Sequence, residues 1–234
     1  MAAFICWPPS AVPSGDILAP HFSVLRFRPM QNRRLALMLV LAAVALDLVE
    51  GGAEAQERVE SPTAGISLVP PAGWHVVSMP QVMSNRSQVR LPDDALQAGL
   101  QRATAPLFVF SKYPEPFAGL NPTVQVVLRP RPASLPTSAP ALLRIATVTL
   151  QKAFPDFAFV DPIRETQVSG FPAAYMKATY TLKTTSQGHR VLSRTWLVPR
   201  GSFMFLIGMS GASSGEDLAE SEFVSTVMSI SIEK

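Results

Sequence analysis

The run Phe203-Met204-Phe205-Leu206-Ile207 is apolar at every position, so it leaves no face for water. A short apolar run between turn signals is a strand buried on both faces. It must therefore lie centrally in a sheet, with a second layer above and another below. Two neighbours precede it. In residues 172–183, Ala174, Met176, Ala178, Tyr180 and Leu182 alternate with Lys177, Thr179, Thr181 and Lys183, so one face is buried and the other wet. Residues 191–198 form the next strand. The turns at 185–189 and at Arg200-Gly201 are short enough to make an antiparallel meander of the three. A last helix opening near Ser213 or Ser214, with Glu216 and Asp217 in its first turn, offers Phe223, Val224 and Val227 to cover the second face.

Other elements follow the same rules. Ile66-Ser67-Leu68-Val69 stops at Pro70-Pro71 and Gly73-Trp74-His75-Val76-Val77 resumes, which reads as two strands joined by a proline-glycine turn with Trp74 as apolar anchor. Pro92-Asp93-Asp94 starts a helix over 93–103, with Leu96, Leu100 and Ala103 at helical spacing. Residues 107–110 and 123–129 are strands flanking a loop at 113–122. Proline-rich 130–136 is a stiff connector. The strongest helix is 138–154: Ser138 caps it, Pro155 ends it, and Leu143, Ala146, Leu150, Ala153 and Phe154 share one side. A strand at 157–160 follows, and Met228, Ile230 and Ile232 alternate with serines into a closing strand. The element order defines an α+β fold, a central antiparallel sheet sandwiched between helices.

The N-terminal quarter has another purpose. Asn32-Arg33-Arg34, apolar residues 35–49 and Ala53-Glu54-Ala55 match the cationic start, apolar core of about 7–15 residues and small-residue cleavage site of a secretory signal. The apolar run is shorter than the roughly 20 residues of a membrane-spanning helix, and Asp47 and Glu50 interrupt it. The expected organisation is a proline-punctuated leader at 1–29 from an upstream start, a signal peptide at 30–55 cut between Ala55 and Gln56, and a single domain at 56–234 with no integral membrane segment left. The only cysteine, Cys6, lies in the leader. That excludes a disulfide framework, a thiol nucleophile and a zinc–thiolate site from the mature chain, and no cysteine stands where a lipoprotein needs one. The destination is the periplasm or the extracellular medium. Residues 1–55 take 4 of the 20 basic and 4 of the 17 acidic residues, leaving a net charge of +3 on 56–234. Scattered basic residues in that balance do not make a nucleic-acid surface.

Few residues group as chemistry requires. Gly211-Ala212-Ser213-Ser214-Gly215 matches the nucleophile-elbow pattern G-x-S-x-G between a strand and a helix, which would make Ser213 the nucleophile of a serine hydrolase. No histidine follows it, so the base would have to be His75 or His189, against the usual order. The competing reading, a glycine turn leading into a serine N-cap, needs nothing further. Gly208, Gly211 and Gly215 lack the G-K-[ST] of a phosphate loop, and Glu216 and Asp217 would oppose a phosphate there. No metal set and no cofactor site can be drawn from His75, His189 and Asp93-Asp94. Asp156, Asp161 and Glu165 read as solvated. The best recognition candidate is Tyr113-Pro114-Glu115-Pro116-Phe117, two aromatics on a proline-stiffened loop.

Ile66 through Trp74, then the strand–helix–strand body, the meander through Val168-Ser169-Gly170-Phe171-Pro172-Ala173 and the close Met228-Ser229-Ile230-Ser231-Ile232 resemble the PsbP/DcrB-like superfamily over most of residues 64–234. The resemblance implies an α/β/α sandwich and a role in binding or assembly. It transfers no functional residue. The expectation is an exported, non-enzymatic binding or assembly protein of a bacterial cell envelope that contacts a protein partner through Tyr113 and Phe117. The alternatives are a serine hydrolase using Ser213 and a carrier for a small apolar ligand.

Overall fold

A computed structural model describes residues 57–214 and 220–233. The signal, the Ala55/Gln56 cut and the first turn expected at Glu216 and Asp217 lie outside them. In chain order the elements are β1 (Val59–Ser61), β2 (Ile66–Leu68), β3 (His75–Val76), α1 (Met79–Gln88), β4 (Val89–Arg90), α2 (Asp94–Gln101), β5 (Phe108–Ser111), β6 (Thr123–Pro130), α3 (Ala139–Ala153), β7 (Ala158–Val168), β8 (Phe171–Thr184), β9 (Gly188–Arg200), β10 (Phe203–Ala212), α4 (Glu220–Ser229) and β11 (Ser231–Ile232).

Eight strands form one sheet in the order β3-β5-β6-β10-β9-β8-β4, with β7 also paired to β8. Every pairing in it is antiparallel. The apolar run of β10 lies between β6 and β9 and divides by parity: Met204 and Leu206 face one core, Phe205, Ile207 and Met209 the other. The first core is closed by Leu142, Leu143, Ala146 and Leu150 of α3, Val82 of α1 and Leu100 of α2. The second is closed by Phe223 of α4 and by the three-stranded sheet β1-β2-β11, through Ile66, Leu68 and Ile232. The expected sandwich is present, with its second cover shared between helix and small sheet.

Local chemistry starts the helices. Ser138 Oγ accepts from Ala141 N at 3.4 Å, Asp93 Oδ1 from Leu96 N at 2.9 Å and Ser78 Oγ from Gln81 N at 3.4 Å. α1 is the helix that periodicity does not signal. Its apolar content facing the core is Val82, and its other buried residues are polar: Asn85 and Arg86, whose Nη1 donates to Ala103 O at 2.7 Å.

Three expectations change. Residues 66–69 and 73–77 do not form a hairpin: β2 joins β1 and β11, whereas β3 pairs with β5 through His75↔Ser111 and Val76↔Phe110. Pro70 and Pro71 supply no backbone donors, so the chain passes from one sheet to the other there. β7 runs to Val168 instead of ending at 160, with register shifts around Asp161 and Pro162. That strand is long, charged and at an edge, where alternation is weak. Val224 is 49% exposed and Met228 81%, so α4 turns Phe223 and Thr226 inward and Met228 is helical surface.

Candidate interaction surface

β5 leaves the sheet at Ser111 and β6 begins at Thr123, and one buried side chain shapes the loop between them. Asn121 Oδ1 accepts from Tyr113 N at 3.1 Å, while its Nδ2 donates to Tyr113 O at 2.8 Å and Glu115 Oε1 at 3.1 Å. Glu115 Oε2 in turn accepts from Phe117 N at 3.1 Å, and Ser111 Oγ donates to Tyr113 O at 2.9 Å. These bonds fold the loop back so that the Tyr113 and Phe117 rings stack, 4.9 Å between centroids and 11° from parallel. Both rings are half-buried, each covering the other's face.

The loop adjoins the end of the sheet. His75, Val76, Ser78, Gln81, Pro114 and Glu115 line a concavity of about 260 Å³. β3 is the edge strand, and Val76 on it is 75% exposed. Met79 and Met83, one helical turn apart on α1, are exposed as well. A stacked aromatic pair, a short open edge and three exposed apolar side chains thus lie along one border. Trp74 ties this border to α4: it is buried, meets Phe223 edge-on at 5.8 Å, and its Nε1 donates to Glu222 Oε1 at 3.2 Å. Lys112 Nζ is 3.5 Å from Glu222 Oε2.

The other sequence candidates do not come together. Ser213 continues the β9–β10 ladder, its N–H donating to Arg190 O at 2.9 Å. His189 is next in sequence to Arg190, and partial burial lowers its pKa. Among the described residues no hydrogen bond joins His189 to Ser213 or to a carboxylate. His75 is exposed on β3, far along the sheet order from β9. Asp93 caps α2. No group of three or more His, Cys, Asp or Glu is placed to hold a metal ion among the described residues, and no described helix is long and apolar enough to cross a membrane.

One ionic cluster was missed by the sequence reading. Arg194 on β9 is 2% exposed; its guanidinium meets the Glu220 carboxylate of α4 and lies over the Phe223 ring at 5.2 Å. Burial lowers its pKa, against the opposing pull of Tyr175 and Asp161. Lys177 Nζ is 3.8 Å from the same carboxylate. The signal was the alternation of β9, which puts position 194 on the inward face of Trp196 and Val198. The cluster anchors α4 across the sheet.

Sheet and covers together define an α+β protein with a large antiparallel sheet layered on both faces. No family model and no curated protein matches the chain. Among solved structures it is similar to the cyanobacterial PsbP (CyanoP) of Synechocystis sp. PCC 6803, with 13% identity and a TM-score of 0.47 over 78% of this chain and 96% of that one. It is also similar to LpqN of Mycobacterium tuberculosis, a protein involved in cell envelope biogenesis, with 15% identity and a TM-score of 0.45 over 78% and 88%. A Bacteroides thetaiotaomicron VPI-5482 protein aligns at 11% identity and a TM-score of 0.43; 76% of this chain spans only 48% of that longer one. PsbP is thus among the structures that the chain is similar to.

Proposed function

We propose that this chain is an exported, non-enzymatic binding or assembly protein of a bacterial cell envelope, and that it holds a protein partner at the border formed by residues 113–122 and strand β3. The observation that carries the reading is the Tyr113–Phe117 stack, held in place by buried Asn121 beside the exposed Val76, Met79 and Met83. Rigid aromatics lose little entropy on binding, and exposed apolar side chains gathered next to an open strand edge suit an interface more than a solvated surface.

The test is affinity capture of the tagged, exported protein from its own envelope, followed by mass spectrometry, with wild type and the double variant Tyr113→Ala/Phe117→Ala side by side. A partner retained by wild type and lost by the variant is expected, with the variant melting within a few degrees of wild type. The stack itself contributes about 0.5–1.5 kcal/mol beyond its area. A collapse in melting temperature would make the rings core residues and refute the surface. The export step has its own readout: the intact mass of the exported protein should correspond to a chain that starts at Gln56.

A further inference from the structure

At the far end of the sheet, β8 has two partners on one edge with a gap between them. β7 pairs with β8 as far as Ala158↔Thr179, and β4 pairs with it at Arg90↔Lys183 and Val89↔Thr184. Among the described residues, 180–182 have no ladder partner on that side. Asp156 fills part of the vacancy: Oδ1 accepts from Thr181 N at 3.0 Å and Oδ2 from Thr181 Oγ1 at 2.6 Å. Arg190 holds that carboxylate through Nη1, while its Nη2 donates to Thr179 Oγ1 at 2.8 Å. Burial raises the Asp156 pKa, but the Thr181 bonds and the Arg190 charge outweigh it and leave the pKa below the ordinary value.

A cavity of about 340 Å³ opens at the gap. Its apolar wall is Leu91, Pro92, Ala153, Phe154 and Pro155, and the Phe154 ring is backed by Tyr180 at 4.3 Å. Small-molecule sites begin at about 300 Å³ and are mostly apolar with a few convergent polar groups. The rim has that second property. Arg90 and Lys183 both line the cavity and are directly opposite each other in the β4–β8 register, both exposed. Like charges so placed on neighbouring strands are destabilising. Arg90 Nη1 is aimed by Ser87 O at 2.8 Å and Val89 O at 3.2 Å, and Lys183 has no ion-pair partner among the described residues. The carboxylate that lines the cavity, Asp156, is already committed to Arg190 and Thr181.

We infer that this notch binds a small amphipathic carboxylate, its apolar body against Leu91, Pro92 and Phe154 and its head between Arg90 and Lys183. A negative head there turns a repulsive cross-strand pair into two attractive contacts. A neutral apolar ligand would leave the repulsion in place. A peptide strand does not fit the gap, since β4 and β7 already occupy the edge on either side of three residues.

The probes are sodium decanoate and the neutral alcohol with the same chain, 1-decanol, both kept below their aggregation limits and titrated into the exported protein by two-dimensional NMR. Saturable decanoate shifts centred on Leu91, Ala153, Phe154 and Thr181 are expected, with decanol at least 10-fold weaker. The double variant Arg90→Gln/Lys183→Gln should bind decanoate at least 10-fold more weakly and melt within a few degrees of wild type, because relief of the rim repulsion offsets the lost Arg90 bonds to Ser87 O and Val89 O. Absent or non-saturating shifts, shifts centred elsewhere, or equal affinity for acid and alcohol would overturn the inference. The acid–alcohol comparison uses wild type alone, so it decides the matter even if the variant folds poorly.

Discussion

Replacing Asn121 with alanine tests whether one buried amide holds the loop. The side chain is fully buried and makes three hydrogen bonds within the loop, two to the backbone of Tyr113 and one to Glu115. Tyr113 O keeps the Ser111 hydroxyl when the amide goes, but the acceptor of Tyr113 N and the donor to Glu115 Oε1 disappear. At about 0.5–1.5 kcal/mol per net bond, and about 1–3 kcal/mol where a buried group loses its partner, the loss amounts to about 2–4 kcal/mol. Urea unfolding should report it as a lower midpoint at unchanged m, because the area exposed on unfolding barely alters. Asn121→Asp sharpens the test at nearly constant volume. It retains an acceptor for Tyr113 N, loses the donor, and sets a second carboxylate against Glu115. Burial and that neighbour raise the pKa of the new group above its unfolded value, so the folded state takes up the proton more readily. The Asn121→Asp protein should therefore be weakest near neutral pH and recover relative to wild type as the pH falls toward 4. A loss below about 0.5 kcal/mol for Asn121→Ala, with the Tyr113 and Phe117 resonances unmoved, would refute the argument that Asn121 organises the loop.

Three further outcomes are expected. Asp156 has a lowered pKa, so its contribution is present above the unfolded carboxylate value of about 3.9 and is lost as the pH falls through the folded one. The stability gap between wild type and Asp156→Asn, by thermal melts across acid pH, should therefore narrow on acidification. Glu220→Ala should cost more than Arg194→Met in denaturant unfolding: the first strands a cation that is 2% exposed, whereas the second frees a carboxylate that is 54% exposed and still near Lys177. Burial pushes the Tyr180 phenol up to about 12, so ultraviolet titration of the native protein at pH 11 should show it still protonated, and the stability this represents should be lost as the pH rises from about 10 toward 12.

The meander was legible because its signals are local and redundant. The parity of Ala174 through Leu182, the double-faced run of β10 and the short turns all point to one arrangement, and the Ser138 cap with Pro155 bounds α3 in the same way. What failed depends on partners far along the chain. Nothing near Ile66 says that it will pair with Ile232, and nothing near Val76 says that it will lie beside Phe110. α1 was hidden because it buries Asn85 and Arg86 where an apolar stripe would have betrayed it. The loop was half-legible: its aromatics and prolines could be picked out, but their stacking depends on Asn121, which looks like any polar loop residue. The notch between β4 and β7 had no local signal at all, since three segments distant in sequence enclose it.

The two ends of the large sheet are guarded differently, and this bears on where a partner can add. β7, paired on one side with β8, carries the charged residues Asp161, Arg164 and Glu165 and has two register shifts, features that discourage a foreign strand from pairing. At the same end of the sheet the gap at residues 180–182 is capped by Asp156 and rimmed by cations. It is closed to a strand and shaped for a small anion. The β3 end has no register shift and no acidic, lysine or arginine residue in its pairing with β5, and the apolar side chains of Val76 and Met79 stand exposed beside it. Brevity protects it, because two residues offer little ladder to an arbitrary strand. A partner that also engaged the Tyr113–Phe117 stack would gain what the short edge cannot supply. Selectivity at that end would then reside in the loop, so that loop variants should abolish capture while substitutions on β7 leave it intact.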